Sequence, residues 1–338
     1  MADKQLHFHK SELLAAALPV WRERLVLLLL LAGFLGLAAR AAWIQLLAQD
    51  FYASQGDRRV HAEAPLAARR GEIQDRHGTV LATSVPSAPG QGFQRRYPDG
   101  EIVAALVGFT DVDHRGQEGV ERSFDSELTG TDGVRAVTQD RLGRAVADAP
   151  ETVVAVDGRD VRLTLDARIQ LLAFRRVKLA VDGHLAKSGS VVVLDARTGD
   201  MLAMANYPSF DPNERRHWRQ EQLRNRAASD AIEPGSVAKP ITMATALDLG
   251  RVRPETVFDT GPGRLRFEGA TISDVGRFGV LTSLFVGMAP ISRPRLIVAT
   301  LIDESTEGGY YGGQIAAPVS REVLREALRL PDIPIPAS

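Results

Sequence analysis

The sequence predicts an α+β protein that is attached to a membrane by a single N-terminal helix. Strand-like and helix-like segments follow one another without the regular β-α-β period of a doubly wound sheet, and the chain has no internal repeat. An unbroken apolar run near the N-terminus is long enough to cross a bilayer. The composition, 44% hydrophobic and 25% charged over 338 residues, is typical of a folded chain with room for two modest domains.

The first element in chain order is the membrane helix. Residues 25–39 are all apolar, and the apolar pattern resumes after Arg40. At about 1.5 Å of rise per residue, a helix over 25–47 can span a hydrocarbon core of roughly 30 Å. Four basic residues precede it: Lys4, Lys10, Arg22 and Arg24. By the positive-inside rule, the N-terminus is predicted to be cytoplasmic and the chain after the helix extracytoplasmic.

A cleaved signal peptide is the alternative interpretation of this run. Ala39-Arg-Ala41 resembles a signal-peptidase site. The apolar pattern, however, is longer than the apolar part of a typical signal peptide, and it continues past that site. The sequence therefore favours an anchor that stays in the membrane.

Charge and cysteine content exclude several classes of function. Lys+Arg 41 against Asp+Glu 42 gives a net charge of -1, so no general electrostatic attraction to nucleic acid is expected. The chain has no cysteine, which excludes disulfides, thiolate metal sites and cysteine nucleophiles. The seven histidines show no ligand spacing, so no metal ion or cofactor is predicted.

The segment that follows the membrane helix predicts a β-rich region with a few short helices. Asp75 to Gly78 carries turn residues between two strand-like stretches, which predicts a hairpin. Proline and glycine predict a loop at 87–92. Short helices are expected after Tyr97 and in the second half of 116–125.

The rest of the chain mixes strands with longer helices. An Ala-Arg-Thr-Gly turn between two apolar stretches predicts a hairpin, and Asp166 is a suitable N-cap for the helix before it. The predicted strands are 134–146, 152–165, 188–195, 200–206 and 296–302. The predicted helices are 164–181, 236–249 and 318–330.

The segment Glu233-Pro-Gly-Ser-Val-Ala-Lys-Pro240 carries the clearest chemical signal. Serine needs a base during nucleophilic attack, and a lysine can serve when burial and neighbouring charges lower its pKa. Residues three apart on a helix share one face, so Lys239 is placed to act on Ser236. Pro-Gly leaves Ser236 at or near a helix N-terminus, where unpaired N–H groups favour developing negative charge.

A purely structural interpretation also fits this segment. Ser236 can cap the helix while Lys239 lies in solvent, and a Ser-x-x-Lys pattern is expected by chance about once in a chain of this size. The surrounding sequence has to decide between the two.

A longer pattern surrounds the serine. Arg224-Asn-Arg226 and Asp230 precede it, an apolar hairpin sequence occupies Ser188–Pro208, and Arg70-Gly-Glu-Ile-Gln-Asp-Arg-His-Gly78 lies nearer the membrane helix. Together they resemble the serine segment, the preceding hairpin and the pedestal motif of class B penicillin-binding proteins, the peptidoglycan DD-transpeptidases. The tail GGYYGGQIAAPV at 308–319 resembles the division-specific members, of the penicillin-binding protein 3 type.

The resemblance implies a β-rich pedestal that carries a transpeptidase domain with the serine β-lactamase-like fold. It assigns Ser236 as the nucleophile, Lys239 as its base and the Ser236 N–H as one donor of the oxyanion hole. No metal or cofactor belongs to this chemistry. The implied parts are a cytoplasmic tail at 1–20, a transmembrane anchor at 21–48, a pedestal at 49–155 and a penicillin-binding domain at 156–338.

Two of the family's three motifs are missing. The family carries Ser-x-x-Lys, Ser-x-Asn and Lys-Thr/Ser-Gly in this order, and only the first stands in its place here. Lys187-Ser-Gly189 matches the third by letter but precedes the serine. Residues 273–282 resemble the approach to Ser-x-Asn, whereas 284–304 resemble the strand after Lys-Thr-Gly. The domain is therefore predicted to lack its middle near Ser283, and the pedestal to be shortened near 87–92.

The resemblance also implies a location and partners. It implies a bacterial inner-membrane protein of the division septum, with periplasmic domains. The implied partners are peptidoglycan stem peptides, β-lactams, a septal polytopic glycosyltransferase and other division proteins.

The missing motifs bear on activity. They supply a proton relay and part of the oxyanion hole, so weak or absent transpeptidase activity is expected. A non-catalytic scaffold of the division complex, with a vestigial serine domain, is the alternative. A β-lactamase or a β-lactam sensor is a third class, and the anchor and pedestal argue against a β-lactamase.

Overall fold

The structure, a computed structural model, describes residues 20–48, 51, 61–88, 92–139, 145–257, 264–267, 269–273, 282–309 and 311–333. The chain divides into two compact units, Met1–Pro65 with Val134–Val153, and Leu66–Gly133 with Val154–Ser338. Helices and mostly antiparallel strands intermix along the chain, so the predicted α+β class is confirmed.

Nine α-helices and thirteen strands lie within the described residues. The helices are α1 (Val20–Ala42), α2 (Ala104–Val107), α3 (Gly119–Ser123), α4 (Asp125–Leu128), α5 (Ala167–Gly183), α6 (Gln220–Leu223), α7 (Arg226–Ser229), α8 (Lys239–Asp248) and α9 (Ala316–Ala327). The strands are β1 (His61–Leu66), β2 (Ile73–Gln74), β3 (Val80–Pro86), β4 (Phe93–Arg96), β5 (Gly133–Gln139), β6 (Ala145–Val153), β7 (Val161–Arg162), β8 (Ser188–Asp195), β9 (Met201–Tyr207), β10 (Arg264–Phe267), β11 (Ala270–Ser273), β12 (Thr282–Ala289) and β13 (Leu296–Asp303).

The first unit contains the predicted membrane helix. Helix α1 continues into a π-helical turn, Trp43–Leu47, and together they are long and apolar enough to cross a membrane. None of their side chains is buried in the protein, as lipid-facing side chains require. The other part of this unit is a sheet in which β5 lies between β1 and β6.

One predicted strand pair is wrong in its bounds. Strand β6 begins at Ala145 instead of 152, and of the predicted continuation to 165 only β7 is a strand. The backbone at 156–159 bonds instead to carbonyl groups of Thr131, Arg69 and Glu127, which lie outside any neighbouring strand. Residues 140–144 of the predicted strand 134–146 lie outside the described residues.

The second unit contains two sheets. Strands β4, β3, β2 and β7 form the first in that order, and the predicted hairpin around Asp75 to Gly78 is confirmed as the β2–β3 pair. Its core combines the sheet with the short helices. The fully buried apolar side chains there are Ile73, Leu81, Ala82, Val107 and Leu128. A buried carboxylate, Glu121, lies beside this core between the guanidinium groups of Arg70 and Arg95.

The second sheet has the order β12, β13, β8, β9, and all its pairs are antiparallel. The predicted hairpin at 188–206 is confirmed as the β8–β9 pair. Helices α5 and α9 pack against one face, and their apolar side chains form the core with Val191, Val193, Val298 and Ile302. Asp166 caps α5 as predicted, because its carboxylate accepts a hydrogen bond from the N–H of Arg168 at 3.0 Å.

The Asp75 carboxylate connects the β2–β3 turn to the start of α5. Its oxygens accept hydrogen bonds from the N–H groups of His77 (2.8 Å), Thr79 (2.8 Å) and Ala167 (3.1 Å). Burial raises the pKa of Asp75, but these hydrogen bonds outweigh burial and hold the pKa below its usual value.

The depressed pKa of Asp75 predicts a loss of stability in acid. The unfolded chain binds this proton at a higher pH than the folded chain does, so the contribution is present above about pH 4 and is lost as pH falls further. In urea unfolding at several pH values, Asp75→Asn is expected to be less stable at pH 7 and to show a shallower acid loss. Asp113→Asn, at an exposed position, is the control. Equal pH profiles for the two variants would contradict the stabilising role of the Asp75 carboxylate.

Candidate active site

Three charged residues shape the chain that leads to the predicted nucleophile. Asp230 pairs with Arg224 (Nε to Oδ1, 2.9 Å) and with Arg226 (Nη1 to Oδ2, 3.6 Å). Arg226 also donates a hydrogen bond to the carbonyl oxygen of Glu221 at 3.0 Å. These contacts connect the residues on both sides of α7. They give a structural role to the Arg-Asn-Arg sequence that ends four residues before Asp230.

Ser236 lies in a single 3-10 turn, Gly235–Ala238, and α8 begins after it at Lys239. The helix was predicted to start near Ser236, so its α-helical part starts three residues later. Gly235 adopts a φ of 52°, which a residue without a side chain adopts at little cost. In a 3-10 helix residues i and i+3 lie one above the other, so Ser236 and Lys239 share one side of the turn.

The hydrogen bonds of this turn leave the backbone N–H of Ser236 unused within the described residues. The N–H of Lys239 bonds to the Ser236 carbonyl, and the N–H of Val237 bonds to the Pro234 carbonyl at 3.1 Å. No acceptor for the Ser236 N–H is found among the residues that the structure describes. The first N–H groups of a helical turn have no partner within the turn, so this donor is open to an incoming oxyanion.

The turn is open to solvent. Ser236 and Lys239 are both exposed, no side chain of α8 is buried, and Ile241 on that helix is 71% exposed. A lysine that acts as a base needs burial or neighbouring charge to lower its pKa. Within the described part of the chain that burial is not provided. The two side chains are brought to one turn, but they are not enclosed.

Strand β12 contacts the Ser236 turn and is the outer strand of its sheet within the described residues. All eight of its residues pair with β13, from Thr282 opposite Asp303 to Ala289 opposite Leu296. The resemblance makes β12 the strand that follows Lys-Thr/Ser-Gly, so the edge where that motif belongs carries no described strand. Residues 274–281, which resemble the approach to Ser-x-Asn, lie outside the described residues.

The structure shows one cluster that the sequence did not reveal. His77 Nε2 lies 3.2 Å from an oxygen of Asp166 and 3.0 Å from one of Asp332. The potential ligand atoms of these three residues lie within 4.8 Å of one another, which is close enough to hold a metal ion. They come from three distant parts of the chain, so no spacing in the sequence could have indicated that they meet.

Arg168 gives this cluster an ionic character of its own. Its Nη2 bonds to Asp166 at 2.6 Å and to Asp332 at 2.5 Å, where it supplies the positive charge that a metal ion would otherwise supply. Burial raises the pKa of Asp166, but the hydrogen bonds and charge of Arg168 outweigh burial and hold the pKa below its usual value. The hydrogen bond from Arg168 also lowers the pKa of Asp332. We interpret the cluster as a structural ion-pair network.

Two family models match this chain. Residues 189–279 match the penicillin binding protein transpeptidase domain, and residues 70–152 match the penicillin binding protein A dimerisation domain. The first range contains Ser236 and Lys239, and the second begins at the Arg70 motif.

Curated relatives and solved structures agree with these matches. The peptidoglycan D,D-transpeptidase FtsI of Escherichia coli K12 is 33% identical over 333 residues, which cover 78% of this chain and 56% of the relative. PenA of Neisseria meningitidis serogroup A, named as a probable peptidoglycan D,D-transpeptidase, is 35% identical over 313 residues, covering 72% of this chain and 54% of the relative. The chain thus spans slightly more than half the length of these relatives.

The crystal structure of penicillin binding protein 3 from Mycobacterium tuberculosis shares the fold with a TM-score of 0.53 at 30% identity. The match covers 78% of this chain and 52% of that one. The same protein has been solved in complex with aztreonam and with ampicillin.

Proposed function

The chain belongs to the class B penicillin-binding transpeptidases, of the penicillin-binding protein 3 type, and we propose from this premise that Ser236 carries acyl transfer from a D-Ala-D-Ala stem peptide. The observation that carries the proposal is the single turn that holds Ser236 directly before Lys239, with no acceptor for the Ser236 N–H among the described residues. Nucleophile, base and one oxyanion donor are thereby supplied by four consecutive residues.

The residues of this turn have distinct roles in the proposed reaction. Ser236 Oγ attacks the carbonyl carbon of the penultimate D-Ala while its proton passes to Lys239 Nζ. The Ser236 N–H stabilises the oxyanion that forms. The C–N bond then breaks, the terminal D-Ala leaves with the proton from Lys239, and an ester to Ser236 remains. An amine of a second stem attacks this ester, which forms the cross-link and restores the Ser236 hydroxyl.

We infer that this reaction is slow in the chain as it stands. The alignment with PenA runs over 313 residues but takes in 72% of the 338 residues of this chain, so about 70 residues of the relative have no counterpart within the aligned range. Two motifs of the family are absent, and Ser236 and Lys239 are exposed. Loss of one oxyanion donor alone commonly costs about 10²–10³ in rate.

The open site also supports a second candidate function, that of a non-catalytic scaffold in the division complex. Among the described residues, α8 has no buried side chain and the outer edge of β12 carries no further strand. Both observations favour the scaffold, because a working acyl-transfer site needs a closed, preorganised environment. A scaffold would act through the N-terminal helix, which is long and apolar enough to cross a membrane, and through the region that matches the dimerisation domain.

The proposed location follows from the membrane helix and the family. The helix Val20–Leu47 is consistent with a single-pass membrane protein. We infer a cytoplasmic N-terminus and periplasmic domains, from the basic residues that precede the apolar run at 25–47. The proposed partners are nascent peptidoglycan, β-lactams, a septal polytopic glycosyltransferase and other division proteins.

Release of D-Ala from a soluble stem-peptide mimic tests the proposed activity. The full chain in detergent is expected to release D-Ala at least about 100-fold more slowly than FtsI of E. coli, and Ser236→Ala is expected to abolish the release. Ser292→Ala, at another exposed serine, is the control and should match the unsubstituted chain. Equal release by Ser236→Ala would contradict the assigned nucleophile, and no release by the folded chain would favour the scaffold.

A further inference from the structure

A buried amide links the β8–β9 hairpin to the segment that leads to Ser236. Asn206 in β9 is 2% exposed. Its Oδ1 accepts hydrogen bonds from Ser190 Oγ at 2.7 Å and from the N–H of Ala227 at 2.8 Å, and its Nδ2 donates to Asn225 Oδ1 at 3.0 Å. Both acceptor positions and one of the two donor positions of the amide are therefore occupied.

The register of the hairpin explains why this amide faces the approaching chain. Ser190 and Asn206 are paired directly across β8 and β9. Their neighbours Val191 and Ala205 are fully buried in the core under α5 and α9. Because successive side chains of a strand point to opposite faces, Ser190 and Asn206 lie on the face away from that core. That is the face on which α7 lies.

Helix α7 cannot hold this position by itself. It has four residues, none of them buried, and an isolated helix of that length does not persist in water. Asn206 contacts it at two points, the N–H of Ala227 inside the helix and the side chain of Asn225 directly before it. The ion pairs of Asp230 with Arg224 and Arg226 then connect the two ends of the segment 224–230.

We propose that Asn206 is a positioning residue for the nucleophile. By holding α7 against the hairpin, it sets the point from which the chain runs through 231–234 to the Ser236 turn. Asn206 does not contact the reacting atoms, and its role in the reaction rests on the proposed function of Ser236. Its effect on the conformation of 224–240 does not depend on that function.

A second buried amide provides a matched control. Gln170 in α5 is 1% exposed, and its amide also makes three hydrogen bonds, two to carbonyl oxygens of Ile102 and Met204 and one from the N–H of Met204. It lies on the core side of the hairpin, and its amide makes no hydrogen bond with 224–240 among the described residues. Asn206→Ala and Gln170→Ala therefore remove comparable groups from opposite faces.

The test is hydrogen exchange by mass spectrometry on the full chain in detergent. Asn206→Ala is expected to speed exchange across 224–240 by about tenfold, whereas Gln170→Ala should leave that segment unchanged. Asn225→Ala, at a half-buried position, removes one of the two contacts and should show the same change to a smaller extent. Asn225→Ala also tests the proposal if Asn206→Ala does not fold. Equal exchange of 224–240 in Asn206→Ala and Gln170→Ala would overturn the proposal.

Acylation by penicillin provides the second readout. Asn206→Ala is expected to form the adduct roughly 10- to 100-fold more slowly than the unsubstituted chain, with Gln170→Ala within about threefold. An unchanged acylation rate in Asn206→Ala would also overturn the positioning role. A chain that forms no adduct at all contradicts the proposed function instead, and the exchange experiment then decides the inference about Asn206.

Discussion

Replacing Glu121 with alanine is expected to lower the free energy of unfolding by about 3–5 kcal/mol. The Glu121 side chain is fully buried, and its two oxygens pair with Arg70 Nε at 2.8 Å and Arg95 Nε at 2.7 Å. Tyr97 donates a further hydrogen bond to the same carboxylate at 3.2 Å. Removal of the carboxylate leaves the buried guanidinium of Arg95 without an ion-pair partner among the described residues, and it leaves Arg70 with Asp125 alone. A desolvated charge that loses its partner is costly.

Urea unfolding of the full chain in detergent measures this effect. Glu118→Ala is the matched control, because Glu118 lies on the same stretch of chain, is exposed and makes no side-chain cap hydrogen bond. It is expected to change the free energy of unfolding by no more than about 0.5 kcal/mol. A Glu121→Ala variant that is destabilised no more than Glu118→Ala would show that the Arg70–Glu121–Arg95 network does not stabilise the fold.

Replacing Lys239 with glutamine is expected to slow the formation of a penicillin adduct by about 10²–10⁴-fold. Glutamine keeps much of the length and polarity of lysine but cannot accept the proton of Ser236. The adduct should still form slowly at high penicillin concentration, because the nucleophile and the Ser236 N–H remain. Time courses of intact mass measure the rate.

Lys187→Gln is the control for this substitution. Lys187 is exposed, pairs with Glu304 at 2.7 Å and opens the Lys-Ser-Gly letters that match the family's third motif out of order. We expect this variant to acylate within about threefold of the unsubstituted chain. A rate lost equally in both variants would contradict the assignment of Lys239 as the base, and would indicate that Lys187 takes part.

The elements with strong local patterns could be predicted from the sequence. The β8–β9 hairpin follows from two apolar stretches around a four-residue turn, and the start of α5 follows from Asp166, whose carboxylate caps it as expected. Strand β6 was placed too late because its bounds depend on pairing with β5 and not on its own composition. Propensity describes a segment, whereas pairing depends on its neighbours in the fold.

The candidate site, like strand β6, could be predicted only as far as its local sequence determines it. The Ser-x-x-Lys spacing and the Pro-Gly before it predicted a turn with both side chains on one side, and the structure has such a turn. Its exposure could not be read from the segment, because enclosure depends on which other elements cover α8. The cluster of His77, Asp166 and Asp332 was invisible for a related reason, since only the fold brings its members together.

Penicillin is expected to acylate Ser236. The most direct measurement is the intact mass of the full chain in detergent after long incubation with penicillin, followed by mapping of the modified peptide. We expect one penicillin per chain, on the peptide that contains Ser236, and no adduct on Ser236→Ala. A folded chain that takes up no penicillin, or a Ser236→Ala variant that takes up as much as the unsubstituted chain, would contradict it.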